Sequence, residues 1–145
     1  LINKLTKKIS YNIFGYKSNP VWGQNYFNEL HKCSMSINLS RGEPIKHYSS
    51  DRIASLMGNG LLTFIHEKYE YKDFFRNNEI VFYKSTHDLN KLILFYKDRP
   101  KLLKQIAFNG CKKAHKIFNN KLISKFIVDK TMGIKNNFNL NWTNV

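Results

Sequence analysis

The sequence predicts an α/β fold, a Rossmann-like parallel sheet with flanking helices that ends in a helical segment. Three observations predict it. Apolar segments of strand length alternate with segments of helical periodicity, and each parallel pair of strands requires a crossover between its members. Residues 61–65 form a run that is apolar except for Thr63, as expected of a central strand that is covered on both faces. After residue 85 only helical periodicity remains.

Four segments have the pattern of strands. In residues 9–13 apolar and polar side chains alternate until Gly15, which indicates a strand that ends at a turn. Residues 35–39 alternate in the same way, and residues 80–83 form a short apolar and aromatic run. Together with the run at 61–65, these segments predict a sheet of about four strands.

Helices are predicted by periodicity and by capping residues. The predicted segments are 24–32, 50–58, a short aromatic helix at 69–76, a helix that starts at 85–88, one that opens at Pro100, and 120–130. Ser49 or Ser50 is the expected N-cap of the second helix, because a serine hydroxyl accepts a hydrogen bond from a free N–H of the first turn. The sequence Gly58-Asn59-Gly60 predicts where that helix ends.

Composition and charge limit the class of protein. The chain has 145 residues, of which 42% are hydrophobic, so it is long and apolar enough for one globular domain. Its formal charge of +14 implies affinity for an anion, whether a nucleic acid, an anionic membrane surface or a phosphorylated substrate. Two interpretations stay open, a solvated lysine face with one local anion site or a broad anionic partner. The lysines concerned are Lys112, Lys113, Lys116, Lys121 and Lys125.

Cysteines and histidines give no sign of a metal site. Cys33 and Cys111 lie far apart without C-x-x-C spacing, and the histidines lack the spacing of metal ligands. We therefore expect reduced, half-buried cysteines, no metal and a cytoplasmic protein. There is no secretory signal pattern, and no run approaches the roughly 20 apolar residues of a membrane-spanning helix. Because the chain opens on helix-like sequence at Leu1, we expect a fragment that lacks an N-terminal part.

The segment from residue 40 to residue 52 points to a ligand. It follows a predicted strand and leads into a predicted helix, and this edge of an open α/β sheet commonly binds phosphorylated ligands. Guanidinium, ammonium and hydroxyl groups are the donors that a diphosphate requires. The predicted diphosphate-binding residues are Arg41, Lys46, Ser49, Ser50 and Arg52.

Four further residues are candidates for the sugar or nucleoside end of such a ligand. Glu43 has a carboxylate that can bind a sugar or ribose hydroxyl, although a solvated loop carboxylate is equally expected. Trp22 and Tyr48 are candidates for stacking on a base or sugar, with loop anchoring as the alternative. Gly15 follows the first predicted strand, where it allows close approach of a ligand or forms an ordinary turn.

The motifs occur in a characteristic order. They are N-P-V-W-G at 19–23, I-N-L-S-R-G at 37–42, Y-S-S-D-R-I at 48–53, G-N-G-L-L-T-F-I at 58–65, N-E-I-V-F-Y at 78–83 and I-A-F-N-G at 106–110. Across roughly residues 8–130, this order resembles the C-terminal half of GT-B glycosyltransferases. More specifically, it resembles the group-1 type related to the CgeB-like spore-maturation glycosyltransferase domain.

The resemblance implies a two-domain enzyme whose C-terminal domain holds a nucleotide-diphosphate sugar. It implies that residues 1–133 form that donor-binding domain, with a polar tail at 134–145. The acceptor site and the catalytic base are expected in an N-terminal domain that this chain lacks. The nucleotide sugar is the co-substrate, and no metal or other cofactor is expected. The acceptor is a glycan, a lipid or a protein, and peripheral association with the inner membrane is an open alternative.

One position departs from the family pattern. Related retaining enzymes carry a Glu–x7–Glu pair across this segment, and the second glutamate meets the ribose. Alignment to Gly60 puts Ser55 at that position, while Glu43 stands in the region of the first glutamate. The departure leaves a degenerate, non-catalytic domain as an alternative.

A basic nucleic-acid-binding module is a second alternative, because of the charge and the many aromatic residues. The sequence lacks an RNP-type aromatic strand, a zinc finger and helix-turn-helix spacing. Its lysines are concentrated in late helices and are not interleaved with exposed aromatics. Nucleic acid is therefore the less favoured partner.

Overall fold

The computed structural model describes residues 4–15, 18–39, 42–48 and 51–135. Within them, one parallel sheet has the strand order β1–β2–β3. The strands are β1 (Met35–Ile37), β2 (Leu62–His66) and β3 (Val81–Tyr83). Met35 lies opposite Leu62, and Phe64 lies opposite Val81. The predicted α/β fold with a parallel sheet is confirmed.

Five α-helices surround this sheet in the described part of the chain. They are α1 (Gly23–His31), α2 (Arg52–Gly58), α3 (Thr86–Lys97), α4 (Pro100–Ile117) and α5 (Asn120–Thr131). The start of α3 is capped as its sequence predicts, because Ser85 Oγ accepts a hydrogen bond of 3.2 Å from the backbone N–H of Asp88. Asp88 in turn accepts one of 2.9 Å from the N–H of Lys84.

Three local predictions are wrong. Residues 9–13 belong to no strand, although Gly15 does form a turn with a φ of 75°. Residues 69–76 form no α-helix. Two short 3₁₀ helices, Glu67–Tyr69 and Tyr71–Asp73, take that part of the chain, because Glu70 between them adopts a left-handed conformation. Cys33, expected to be half-buried, is exposed.

The start of α2 also differs from the prediction. The helix begins at Arg52, and Asp51 precedes it without capping it through its side chain. Ser49 and Ser50, the predicted caps, lie outside the described residues. At the other end, Gly58 is the last helical residue, and the turn follows at Gly60, whose φ is 75°.

The core has one large cluster on each face of the sheet, and a smaller cluster of Leu30, Leu56 and Leu61 lies beside them. Alternate residues of a strand point to opposite faces, so Leu62 and Phe64 lie on one side and Ile65 on the other. The first two pack in a cluster with α3 and the first half of α4. Ile65 packs in a second cluster with α2, the 3₁₀ segments and the end of α4. The central strand is therefore covered on both faces, as its apolar run predicts.

Candidate functional site

Polar residues collect where the parallel strands end. Asn38 follows β1, His66 ends β2 and Lys84 follows β3. Because the strands are parallel, these three positions lie along one edge of the sheet. Residues 42–48 lie against the same edge, since the backbone N–H of His47 donates to the Tyr69 carbonyl at 2.9 Å. We call this region the carboxyl edge, and it is the candidate site.

Arg52 joins α2 to the carboxyl edge. Its guanidinium Nη1 donates a hydrogen bond to the carbonyl oxygen of Leu39, two residues beyond β1. A guanidinium has five N–H donors in a planar fork, so this bond leaves others for an anion. Arg52 also acts on Tyr26 in α1, because its charge opposes the burial that raises the pKa of that phenol. A cation is therefore held at the end of β1, next to α1.

Lys46 has a partner within the chain. Its Nζ lies 3.0 Å from Glu70 Oε2, and both side chains are more than half exposed. The hydrogen bond that the Lys46 ammonium donates to this carboxylate raises the pKa of Lys46. The predicted diphosphate contact of Lys46 thus competes with an ion pair to the 3₁₀ segment.

His47 is a residue that the sequence did not single out. Its Nε2 lies 2.8 Å from Asp73 Oδ2, and its ring packs against Phe74 with 4.7 Å between the ring centroids. Its φ of 57° is unusual for a side chain larger than glycine. These contacts hold residues 42–48 on the 3₁₀ segment. No sequence signal predicts them, since Asp73 is 26 residues away.

Asn38 is the second residue that sequence reasoning missed. Its side chain is fully buried, and neither its Oδ1 nor its Nδ2 has a hydrogen-bond partner among the residues that the structure describes. Its backbone N–H donates to the Phe64 carbonyl at 2.9 Å and so continues the β1–β2 ladder. Strand alternation was the available signal, because it puts Asn38 on the face opposite to the apolar side chains of β1.

His66 ends the central strand with a defined donor. Its Nδ1 accepts a hydrogen bond of 3.2 Å from the N–H of Lys68, so the neutral ring carries its proton on Nε2. The ring lies edge-on to Tyr83 with 5.1 Å between centroids. Burial raises the pKa of Tyr83 to about 12. The carboxyl edge thus includes a ring N–H donor at His66 as well as the cations.

The other predicted site residues are less tightly connected. Glu43 and Tyr48 are exposed in the 42–48 segment, and Trp22, just before α1, is 78% exposed. Gly15 sits in its turn, where a Cβ atom would lie 3.8 Å from the Cβ of Pro20. Arg41, Ser49 and Ser50 lie outside the described residues. In the described part of the chain, hydrogen bonds and ion pairs draw Lys46 and Arg52 to the carboxyl edge, whereas none joins Trp22 or Glu43 to them.

A pocket of about 290 Å³ lies between β3, α3 and the 3₁₀ segments. Among its lining residues are two lysines and two carboxylates, Lys72, Lys84, Glu67 and Asp88. Lys72 Nζ lies 3.8 Å from Glu67 Oε2. Because positive and negative charges are balanced there, the pocket suits a dianionic ligand less well than the surroundings of Arg52 do.

The described residues contain neither a metal-binding cluster nor a membrane-spanning helix. No group of three or more His, Cys, Asp or Glu side chains is arranged to hold a metal ion. None of the helices combines the length and the apolar character that crossing a membrane requires.

Comparison with known proteins identifies the family. No curated protein and no solved structure matches the chain significantly. The family described as glycosyl transferase-like does match, over residues 1–129. This range contains the whole sheet, α1 to α4 and the carboxyl edge. Its members have a general role in glycosyl transfer, from a sugar donor to an acceptor. The chain belongs to the glycosyl transferase-like family.

Proposed function

We propose that this chain is the donor-binding domain of a GT-B glycosyltransferase of the group-1, CgeB-like type. In this proposal residues 1–133 bind a nucleotide-diphosphate sugar, and the sugar is transferred to a glycan, lipid or protein acceptor. The observation that carries the proposal is the bond from Arg52 to the Leu39 carbonyl. It fixes a guanidinium at the carboxyl edge of a parallel sheet, which is where α/β folds bind phosphorylated ligands.

The proposed role of the cations is to stabilise the leaving group. Transfer breaks the bond between the anomeric carbon and the diphosphate oxygen, and the bonding electrons stay on that oxygen. Arg41, Lys46 and Arg52 lower the energy of this charge without a metal ion, and hydroxyls of Ser49 and Ser50 add hydrogen bonds. Catalytic groups that are preorganised in this way act on charge as it develops in the transition state.

Other residues are assigned to the neutral parts of the donor. Glu43 accepts a hydrogen bond from a sugar or ribose hydroxyl, and Tyr48 and Trp22 stack on the base or the sugar. Both aromatic side chains are at least half exposed, so a ligand has access to them. Gly15 lets the donor approach the backbone closely.

A degenerate, non-catalytic domain is the second candidate, and one observation favours it. Ser55 stands where related retaining enzymes have a glutamate. Burial raises the pKa of the Tyr26 phenol, and the nearby Ser55 hydroxyl acts against that rise. A hydroxyl that interacts within the chain in this way is a weaker ribose ligand than a carboxylate. If the domain is degenerate, it binds the nucleotide sugar too weakly to support transfer.

Isothermal titration calorimetry with UDP, GDP and their sugars tests the proposal. The chain is compared with Arg41→Ala and Arg52→Ala and with the control Arg99→Ala. Arg99 lies between α3 and α4, about 18 Å along α3 from the carboxyl edge, and its guanidinium stacks on Phe95. Saturable binding that both site variants lose and Arg99→Ala keeps supports the proposal. If all three substitutions weaken nucleotide binding equally, the proposal is contradicted, because binding then depends only on the net charge of the protein.

Peripheral membrane association is proposed as part of this function. Ile127, Val128 and Met132 are exposed on α5 and the residue after it, near Lys121 and Lys130. Apolar side chains beside lysines suit the surface of an anionic bilayer. Sedimentation with vesicles of anionic and of neutral lipid tests this. Binding to anionic vesicles that Ile127→Ser with Val128→Ser weakens supports it, and equal binding to both lipids contradicts it.

A further inference from the structure

The amide of Asn38 is an anomaly in this protein. Its side chain is 0% exposed, and in the described part of the chain both its oxygen and its nitrogen lack a hydrogen-bond partner. Buried polar groups are almost always paired, because an unpaired one has lost its bonds to water without replacement. An exception calls for an explanation such as a missing partner. Asn38 lies at the carboxyl edge, so its unpaired amide is in the proposed donor site.

The neighbours of Asn38 argue against a purely structural reason for its unpaired amide. On the same face of the sheet, Ser36 and Thr63 share a hydrogen bond of 3.1 Å, and Thr63 also donates to the Leu61 carbonyl. The chain therefore satisfies the other buried hydroxyls of this face. Among the described residues, only Asn38, which is nearest the carboxyl edge, has a buried side-chain donor and acceptor without a hydrogen-bond partner.

The chemistry of an amide indicates what kind of group it receives. A carboxamide presents an N–H donor and a carbonyl acceptor side by side. A phosphate offers only acceptors, so it would leave the amide oxygen unpaired and close to negative charge. A base edge or a sugar hydroxyl offers both a donor and an acceptor and can satisfy the whole amide. Asn38 therefore suits the neutral end of a nucleotide sugar and not its diphosphate.

The position of Asn38 relative to Arg52 agrees with assigning the amide to the neutral end of the nucleotide sugar and the cation to its diphosphate. The guanidinium of Arg52 is bonded to the carbonyl of Leu39, the residue directly after Asn38. A cation for the diphosphate and an amide for the neutral end thus lie side by side at the end of β1. A single nucleotide sugar has both kinds of group within a few bonds of each other.

We propose that Asn38 is a specificity-determining residue of the donor site, whose amide hydrogen-bonds a base edge or a sugar hydroxyl of the bound nucleotide sugar. This inference rests on the proposed function. Because the amide has no solvent access in the free chain, the ligand reaches it only when the carboxyl edge opens. Hydrogen bonds and ion pairs hold residues 42–48 to the rest of the described chain through Lys46 and His47.

The decisive variant is Asn38→Leu, which has a similar size and no polar atoms. It removes an unpaired buried amide, so the melting temperature of the free chain is expected to rise by a few degrees. It also removes the ligand contact, so the affinity for the nucleotide is expected to fall about tenfold or more. Asn38→Ala serves as a second variant if leucine does not fit. Thr63→Val is the control, because its buried hydroxyl is paired and its loss is expected to lower the melting temperature without changing affinity.

Titration with UDP, GDP and UDP-glucose, together with thermal unfolding, separates the outcomes. Weaker binding of UDP or GDP to Asn38→Leu assigns the contact to the nucleoside, and weaker binding of UDP-glucose alone assigns it to the sugar. Unchanged affinity of both Asn38 variants for all three ligands overturns the inference while the proposed function stands. If the unmodified chain binds none of them at millimolar concentration, the proposed function fails and the inference fails with it.

Discussion

The backbone of Gly110 in α4 packs directly on the carbonyl group of Glu79, which lies in the short segment just before β3. A Cβ atom at residue 110 would overlap that carbonyl oxygen and would also lie 3.0 Å from the terminal methyl of Met57. Next to it, Asn109 Nδ2 donates a hydrogen bond of 3.1 Å to the Asn78 carbonyl. The I-A-F-N-G motif therefore joins α4 to β3, and its glycine is required by packing.

Gly110→Ala is expected to destabilise the protein by about 3 kcal/mol, because the overlapped atom belongs to the backbone and cannot turn away. Urea unfolding followed by circular dichroism measures the change. Gly58→Ala is the matched control. A Cβ there meets only His115 at 3.9 Å, and Gly58 is helical, so the substitution is expected to be neutral or slightly stabilising. Equal stability of the two variants would show that α4 does not pack this closely.

Tyr83 gives the protein a pH dependence in the alkaline range. Burial raises its pKa from 10.0 to about 12, and its side chain is 2% exposed. The folded state therefore favours the neutral phenol more than the unfolded state does. This stabilisation is complete below pH 10 and is lost as the pH rises toward 12, by about 2–3 kcal/mol in total.

Tyr83→Phe removes that titration, so the stability of the variant is expected to fall less between pH 9 and pH 11.5 than that of the unmodified chain. Urea unfolding at a series of pH values measures the difference. Tyr11→Phe, at an exposed position, is the control for general alkaline effects. Parallel stability curves for Tyr83→Phe and the unmodified chain would contradict the assignment.

Glu70 holds a left-handed conformation, with a φ of 53°, between the two 3₁₀ segments. This conformation costs a residue with a Cβ about 1–2 kcal/mol, and glycine adopts it freely. Glu70→Gly is therefore expected to stabilise the protein by about 1 kcal/mol, since the exposed ion pair that it removes contributes little. Glu70→Ala, which loses the same ion pair and keeps the Cβ, is the control in the same unfolding experiment. A Gly variant no more stable than the Ala variant would exclude the left-handed conformation.

Glu70 also competes with the ligand for Lys46 in the proposed site. Glu70→Gln removes the carboxylate that lies 3.0 Å from the Lys46 ammonium, so it is expected to tighten the binding of UDP or GDP. Lys46→Ala is expected to weaken that binding, and Lys46→Ala with Glu70→Gln is expected to match Lys46→Ala alone. Calorimetric titrations measure all three. Tighter binding in the double variant than in Lys46→Ala would show that Glu70 acts by general charge and not through Lys46.

The parallel sheet and its helices are predictable because burial and periodicity are local properties of the sequence. Residues 61–65 are apolar except for Thr63 since they are covered on both faces, and Ser85 caps α3 through a contact three residues away. The wrong prediction of a strand at residues 9–13 has a physical reason. Alternation reports which side chains are buried but does not name a neighbouring strand, and Ile9 packs on the sheet's core without joining it.

The site was only partly predictable for a related reason. The cationic residues of the 40–52 segment were recognisable by type and position, and the bond from Arg52 to Leu39 brings one of them to the carboxyl edge. The pairings of Lys46 with Glu70 and of His47 with Asp73 join residues more than 20 positions apart, so no local pattern announces them. The missing partner of Asn38 is a property of the packed structure alone.

The most direct test of the donor site is an NMR titration of the isotope-labelled chain with UDP and GDP. The account predicts saturable shift changes at the carboxyl edge: the Asn38 side-chain amide, the Leu39 N–H, the Arg52 Nε–H and the backbone of Lys46 and His47. Shift changes confined to the lysines of α4 and α5, with no saturation, would contradict it and would assign the charge of the protein to a broad anionic partner.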